Sequence, residues 1–359
     1  MASLEKRESG YVVRWRVDGG SRQRTFKGHK EALAHKTQVE SDAAAGRAVD
    51  PAHGRITFEE WWKVWTAGRV NLRSSTLAQS ASAARTHTLP VWGSKRLDSI
   101  RQPQVQAWVN KLAGSGLAPA TVHAAYKDFQ QAMSAAVTAK MLRDSPCVGI
   151  TLPKVERSEM NFLDHADIRA LADAIEPRYR ALIFLLAYGG LRIGEAAALK
   201  PAQVDFKNGT VTVIASAAEV SGHVQINPPK SKAGRRTIYL TSSIMDELAR
   251  HMEEFPGREY VFEGAQGGIL RSRAWSQRYY KTALAKAGLS KVRVHDLRHT
   301  AISMWVRAGV DLVRIKTWAG HSSSTFTVDR YGHLYVTDNA AILETLDANI
   351  LRDAVLEPS

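Results

Sequence analysis

Two breaks punctuate this chain and limit what it can become. Residues 46–54 hold Gly46, Pro51 and Gly54, and residues 146–157 hold Pro146, Gly149, Pro153 and several charges. Proline and glycine interrupt helix and strand alike, so each stretch reads as a linker. The hydrophobic period changes across each break. The 359 residues are therefore expected to form three domains, at 1–50, 55–150 and 157–359.

In the first, Tyr11 to Val17 (YVVRWRV) alternates with period two, as a half-buried strand does. Asp18, Gly19 and Gly20 signal a turn, and Ser21 to Phe26 reads as the returning strand. An alanine-rich helix should follow over residues 30–45. Arg14 and Arg16 then share one sheet face, with Arg22 and Arg24 as candidates beside them. That face could lie in a nucleic-acid groove or simply meet solvent.

The second domain reads as all helix. Thr57 with Glu60 makes a capping box ahead of Trp61, Trp62 and Trp65, which are expected to pack a core. Further helices are expected at 74–87, 103–112 and 119–140. The third domain is mixed, with helices at 164–174 and 179–188, strands at 211–214 and 237–240, and helices again from 242 onward. The fold class is thus multidomain and mainly α with small β-sheets.

Charge narrows the partner. The net charge is +14, and residues 51–156 alone carry 13 Lys/Arg against 6 Asp/Glu, which favours a polyanion. The longest apolar run, residues 181–188, is too short to cross a bilayer, and the charged N-terminus lacks the apolar stretch of a signal peptide. Cys147 is the single cysteine, which excludes an intrachain disulfide and suits a reducing cytoplasm; a small buried hydrophobe is expected there.

Four places in the third domain carry side chains suited to phosphate. An apolar helix runs into Gly189-Gly190, a helix stop, and presents Arg192. A basic turn between strands, residues 228–236, holds Lys230 and Lys232. His295 and Arg298 lie three apart and share a helix face. Gly320 suits another helix stop, Ser322 or Ser323 the next cap, and His321 is followed ten residues later by Tyr331. His295 and His299 also have a zinc-like spacing, but no glutamate stands between them in the metalloprotease manner. Arg298 would repel a cation, so no metal is expected.

These segments, GLRIGEAAALK, PPKSKAGRRTIYL, HDLRHTAISMWVRAG and WAGHSSSTFTVDRYGHLY, resemble the tyrosine recombinase family, which includes phage integrases and chromosome-dimer recombinases. The family pattern is Arg, Lys in a β-turn, His-x-x-Arg, His or Trp, then Tyr. Arg192, Lys230, His295, Arg298, His321 and Tyr331 fill it in order. The resemblance implies a site-specific recombinase that cuts and rejoins strands through a 3′-phosphotyrosyl intermediate, without ATP, metal or other cofactor. Tyr331 would be the nucleophile, ahead of its rivals Tyr279, Tyr280 and Tyr335, and Lys230 the proton donor to the leaving oxygen, ahead of Lys232. Glu195 and Asp296 would orient the arginine and histidine.

The chemistry needs these residue types. Attack on a phosphodiester gathers negative charge on its non-bridging oxygens, and guanidiniums remain charged while offering a planar fork of donors. A phenol must lose its proton to attack, which nearby positive charge assists.

By resemblance, the first domain binds arm-type DNA, the second core-type DNA, and the third is catalytic. Expected partners are double-stranded attachment sites, a homotetramer on two duplexes, and an excisionase or DNA-bending factor, in the nucleoid of a bacterial host with no membrane involved. Leu343, Leu346 and Ile350 repeat at helical spacing and could pack in cis or dock on a neighbouring protomer. The competing readings are a dimer-resolution or transposon recombinase, a type IB topoisomerase, and a catalytically idle DNA-binding regulator.

Overall fold

The computed structural model describes residues 2–17, 19–156, 161–229, 232–289, 292–321, 328, 330–332 and 343–344. The expectations for Lys230, Ser322, Ser323, Tyr335, Leu346 and Ile350 lie outside the described residues, as does the side chain of Lys232. The chain divides into two compact units, Met1–Arg157 and Ser158–Ser359.

The first unit opens with an antiparallel sheet of β1 (Ser3–Arg7), β2 (Gly10–Val17) and β3 (Gly20–Phe26), with β2 in the middle. Helix α1 (His29–Ala44) supplies Ala32 to a small core shared with Val13, Trp15 and Val17. The register corrects one expectation. Val17 pairs with Gly20 across a two-residue turn, so even-numbered residues of β2 face odd-numbered ones of β3. Directly opposed residues share a face. Arg22 therefore lies opposite Trp15, and Arg24 opposite Val13, on the face turned toward the core, while Arg14 and Arg16 lie on the other face. Arg22 is moreover clasped by both carboxylate oxygens of buried Asp50.

Helices α2 (Phe58–Ala67), α3 (Ser74–Ala83), α4 (Leu89–Trp92), α5 (Gln102–Gly114) and α6 (Pro119–Thr138) follow, with α3 passing into α4 through a π-helical turn, Ala84–Thr88. The capping box forms as read: Glu60 N–H donates to Thr57 Oγ1 at 3.2 Å, and Thr57 N–H to Glu60 Oε2 at 2.7 Å. Trp61 and Trp62 are buried beside Trp92, Trp108 and Phe129, and Trp61 Nε1 donates to the carbonyl of Ala132 at 2.7 Å. Their apolar burial, about 1.5–3 kcal/mol per large side chain, holds this bundle together. Cys147 is in the same core.

The second unit is built on α8 (Arg180–Gly189), buried over nearly its whole length. Around it stand α7 (His165–Ala174), α9 (Ile193–Ala197), α10 (Ser242–Glu254), α11 (Ser272–Trp275), α12 (Lys281–Lys286), α13 (Val294–Arg307) and α14 (Leu312–Ala319). A π turn, Ser276–Tyr280, joins α11 to α12. Strands β4 (Val204–Asp205), β5 (Thr210–Val213) and β8 (Arg236–Tyr239) form one antiparallel sheet, and β6 (Ser216–Val220) with β7 (His223–Asn227) a separate hairpin. No helix of the described residues is long and apolar enough to cross a membrane.

Candidate active site

The site is set by two helix stops. Helix α8 ends in Gly190 at φ +63°, a left-handed turn that favours glycine. A Cβ there would also stand 2.7 Å from the Trp305 ring. Helix α14 ends the same way in Gly320, where a Cβ would meet Arg236 at 3.1 Å and the carbonyl of Ala233 at 3.0 Å. Arg192 follows the first stop and His321 the second.

Arg192 is the N-cap of α9, and its guanidinium remains partly exposed. Its Nη1 donates to Glu195 Oε1 at 2.8 Å, and its backbone N–H to Oε2 at 2.9 Å. Glu195 is buried and also takes two bonds from Arg236, at 3.1 and 2.8 Å. Burial by itself would raise the Glu195 pKa. The Arg236 hydrogen bonds, with the charges of Arg236, Arg192 and Arg298, outweigh it and hold the carboxyl at about 2. The orienting role expected for Glu195 thus has a geometry, with both of its oxygens engaged twice.

Arg298 is 2 % exposed. One terminal nitrogen donates to the carbonyl of Gly190 and the other to that of Ala319, so it spans the two helix stops. Burial, then the charge of Arg192, pulls its pKa down to about 9, which leaves it protonated at neutral pH. His321 is buried, and burial followed by the charges of Arg298, Arg192 and Arg236 lowers its pKa to about 3. His295 keeps an exposed face, yet the protein packed around it, with Arg298 and Arg192, still pushes its pKa down. Asp296 spends its carboxylate on the Arg293 guanidinium and backbone N–H, at 2.8–3.1 Å, rather than on a histidine side chain.

Tyr331 is fully buried with Ile302, Val306, Ile315 and Ala319. Its hydroxyl is hydrogen-bonded to Nδ1 of His299. Burial raises the phenol to about 12, against the opposing charges of Arg298 and Arg330. Burial, then His295 and Arg330, lowers His299 to about 4, so the ring is neutral at pH 7. Five of the six expected residues thus belong to one region of fixed positive charge, and Lys230 lies outside the described residues.

Two contributors escaped sequence reasoning. His299 was weighed only for its zinc-like spacing from His295, and it partners Tyr331. Arg236 was passed over as one more base in the turn. The signal was alternation: residues two apart on a strand share a face, so Arg236 sits with buried Ile238.

The profile of the Phage integrase family matches residues 161–337, and that of the phage integrase N-terminal SAM-like domain matches residues 57–113. A tyrosine recombinase XerC-like protein of Caldanaerobacter subterraneus is 24% identical, covering 96% of this chain and 94% of its own. The integrase of Mycobacterium phage D29 is 25% identical, over 78% of this chain and 75% of its own. Among solved structures, a Tn1549 transposon integrase in complex with circular intermediate DNA superposes with TM-score 0.72 at 19% identity, over 81% of this chain and 99% of that one. A lambda integrase tetramer bound to a Holliday junction superposes with TM-score 0.61 at 16% identity, over 91% and 94%. The two family profiles and the relative matched over nearly its whole length converge, and the chain belongs to the phage integrase family of tyrosine recombinases.

Proposed function

We propose that this site-specific recombinase integrates DNA by transesterification through Tyr331, with Arg192 and Arg298 binding the scissile phosphate. The observation that carries the reading is the charge relation between Arg298 and Tyr331. A guanidinium fixed by two backbone carbonyls lies near enough to favour the phenolate of the one tyrosine at the family position.

In the step, Tyr331 Oη bonds to phosphorus, and the bond from phosphorus to the 5′ oxygen breaks. Lys230 Nζ gives its proton to that oxygen. The phenol proton passes to a base, with His299 the nearest neutral ring. A 5′ hydroxyl of the partner strand then reverses the sequence. The ester bond is conserved throughout, so the chemistry asks for neither ATP nor a metal. His295 and His321 donate to phosphate oxygens. As found, Tyr331 is shielded and protonated, so attack requires the phenol to turn from its apolar pocket toward the DNA.

Double-stranded attachment sites are the partners under this reading, with four protomers on two duplexes and a DNA-bending or excision factor setting direction. Arg14 and Arg16, on the sheet face opposite Val13, Trp15 and Val17, are the arm-site contacts we favour. Phosphate contacts should make binding steeply salt-dependent.

The test is to mix the protein with nicked attachment-region DNA in chelator and run a denaturing gel. A covalent band that disappears in Tyr331→Phe, while DNA binding persists, is the expected result. No band on DNA that is bound would instead indicate the idle regulator, and a band in Tyr331→Phe would move the nucleophile elsewhere.

A further inference from the structure

The side chain of Arg236 is 1% exposed, and no catalytic role reaches it. Each of its three nitrogens donates to protein. Nη2 and Nη1 grip Glu195 at 2.8 and 3.1 Å, Nη1 also donates to the carbonyl of Gly234 at 3.2 Å, and Nε donates to the carbonyl of Trp318 at 2.6 Å. Each acceptor belongs to a different segment. Glu195 orients Arg192. Gly234 closes the turn four residues after Lys230, and Trp318 stands three residues before His321. Gly320 lies against the same guanidinium, at a distance that leaves no room for a side chain to intrude without displacing it.

We propose that Arg236 is a positioning residue that holds the Arg192 turn, the Gly234 turn and the His321 segment in one register. This rests on the recombinase reading. Glu195 has no lone pair left to choose another orientation, because Arg192 and Arg236 each supply two bonds to it. Arg236 therefore fixes Glu195, and Glu195 fixes the guanidinium that faces the phosphate. A lysine in its place keeps the charge but offers no planar fork, so it cannot span three segments at once.

The test uses the full chain and a nicked duplex on which the wild type forms its covalent adduct. If the wild type forms none, the recombinase reading fails and the role of Arg236 is not what has failed. Two duplexes are compared, one with an ordinary scissile phosphodiester and one with a methylphosphonate there, which lacks the anionic charge that Arg192 meets. Arg236→Lys should bind DNA within about threefold of wild type and show an unaltered circular dichroism spectrum. At saturating DNA its cleavage rate should fall by roughly 100-fold on the phosphodiester and by less than about tenfold on the methylphosphonate. Glu195→Gln should show the same contrast, and the double variant should be little worse than either single one.

If Arg236→Lys does not fold, Glu195→Gln carries the comparison alone. Equal losses on the two linkages, wild-type rates in both variants, or losses that add in the double variant would overturn the proposal.

Discussion

The hydroxyl of Tyr331 is hydrogen-bonded to Nδ1 of His299, one helical turn beyond His295 on α13, inside an apolar pocket. The ring is neutral at pH 7. The proposed nucleophile is thus held by a group on the same helix as Arg298, to which the same proposal gives the phosphate. His299→Leu should leave a buried hydroxyl without this partner and destabilise the protein by about 1–3 kcal/mol. Urea denaturation reads this directly, and an unchanged midpoint would show that the contact contributes nothing.

Acid should loosen the catalytic unit well before its carboxylates protonate. His299 and His321 are buried and have pKa values near 4 and 3, below the ordinary 6.5. A group whose folded pKa is depressed contributes stability above its unfolded pKa and loses it as pH falls. The loss should begin near pH 6.5 and continue to about pH 3–4, reaching as much as ~2 kcal/mol per histidine at pH 5. Glu195, held at about 2, adds its own loss only below about pH 4.5. Thermal melts at pH 7, 6 and 5 check the order, and a flat melting temperature across that range would contradict it.

Arg192 stands exposed on one side and clamped on the other, the disposition of a group that waits for a ligand. Arg192→Ala should bind attachment DNA nearly as well as wild type and lose covalent cleavage by two to three orders of magnitude, on the order of 3–4 kcal/mol. Single-turnover adduct formation gives the number. Near-normal cleavage would remove Arg192 from the site.

The two faces of the N-terminal sheet make opposite forecasts. Arg14→Ala with Arg16→Ala should weaken arm-site binding and reduce its salt slope by roughly one unit per lost phosphate contact. Arg22→Ala should leave that affinity within about twofold, because Asp50 already occupies this guanidinium. Fluorescence anisotropy against salt separates them, and equal effects from the two faces would sink the assignment.

Much of this was readable in advance because punctuation and ordered polar residues are local features. Gly190 and Gly320 end their helices as their residue type implies, and the capping box at Thr57 and Glu60 is a four-residue signal. What stayed hidden depends on register or distance. Strand β1 carries one core-facing apolar residue, Leu4, too little for a period to show. The β6–β7 hairpin turns through Ser221 and Gly222, both at positive φ, and serine is an uncommon residue for that conformation. The segregation of Arg22 and Arg24 from Arg14 and Arg16 follows from turn length, which a one-residue change would have reversed. The contact between His299 and Tyr331 spans 32 residues and has no local signature.

Arg298 also explains how so much positive charge rests together before any DNA arrives. The carbonyls it engages stand at the C-terminal ends of α8 and α14, where aligned peptide dipoles leave partial negative charge. Two helices thus aim their electronegative tips at one guanidinium, as a pair of oriented solvent molecules would, but without having to reorganise. The charge of Arg298 is thus met by main chain as well as by the carboxylate of Glu195. Substitution elsewhere on those helices can therefore alter the packing while leaving that field in place, provided the two helix ends do not move.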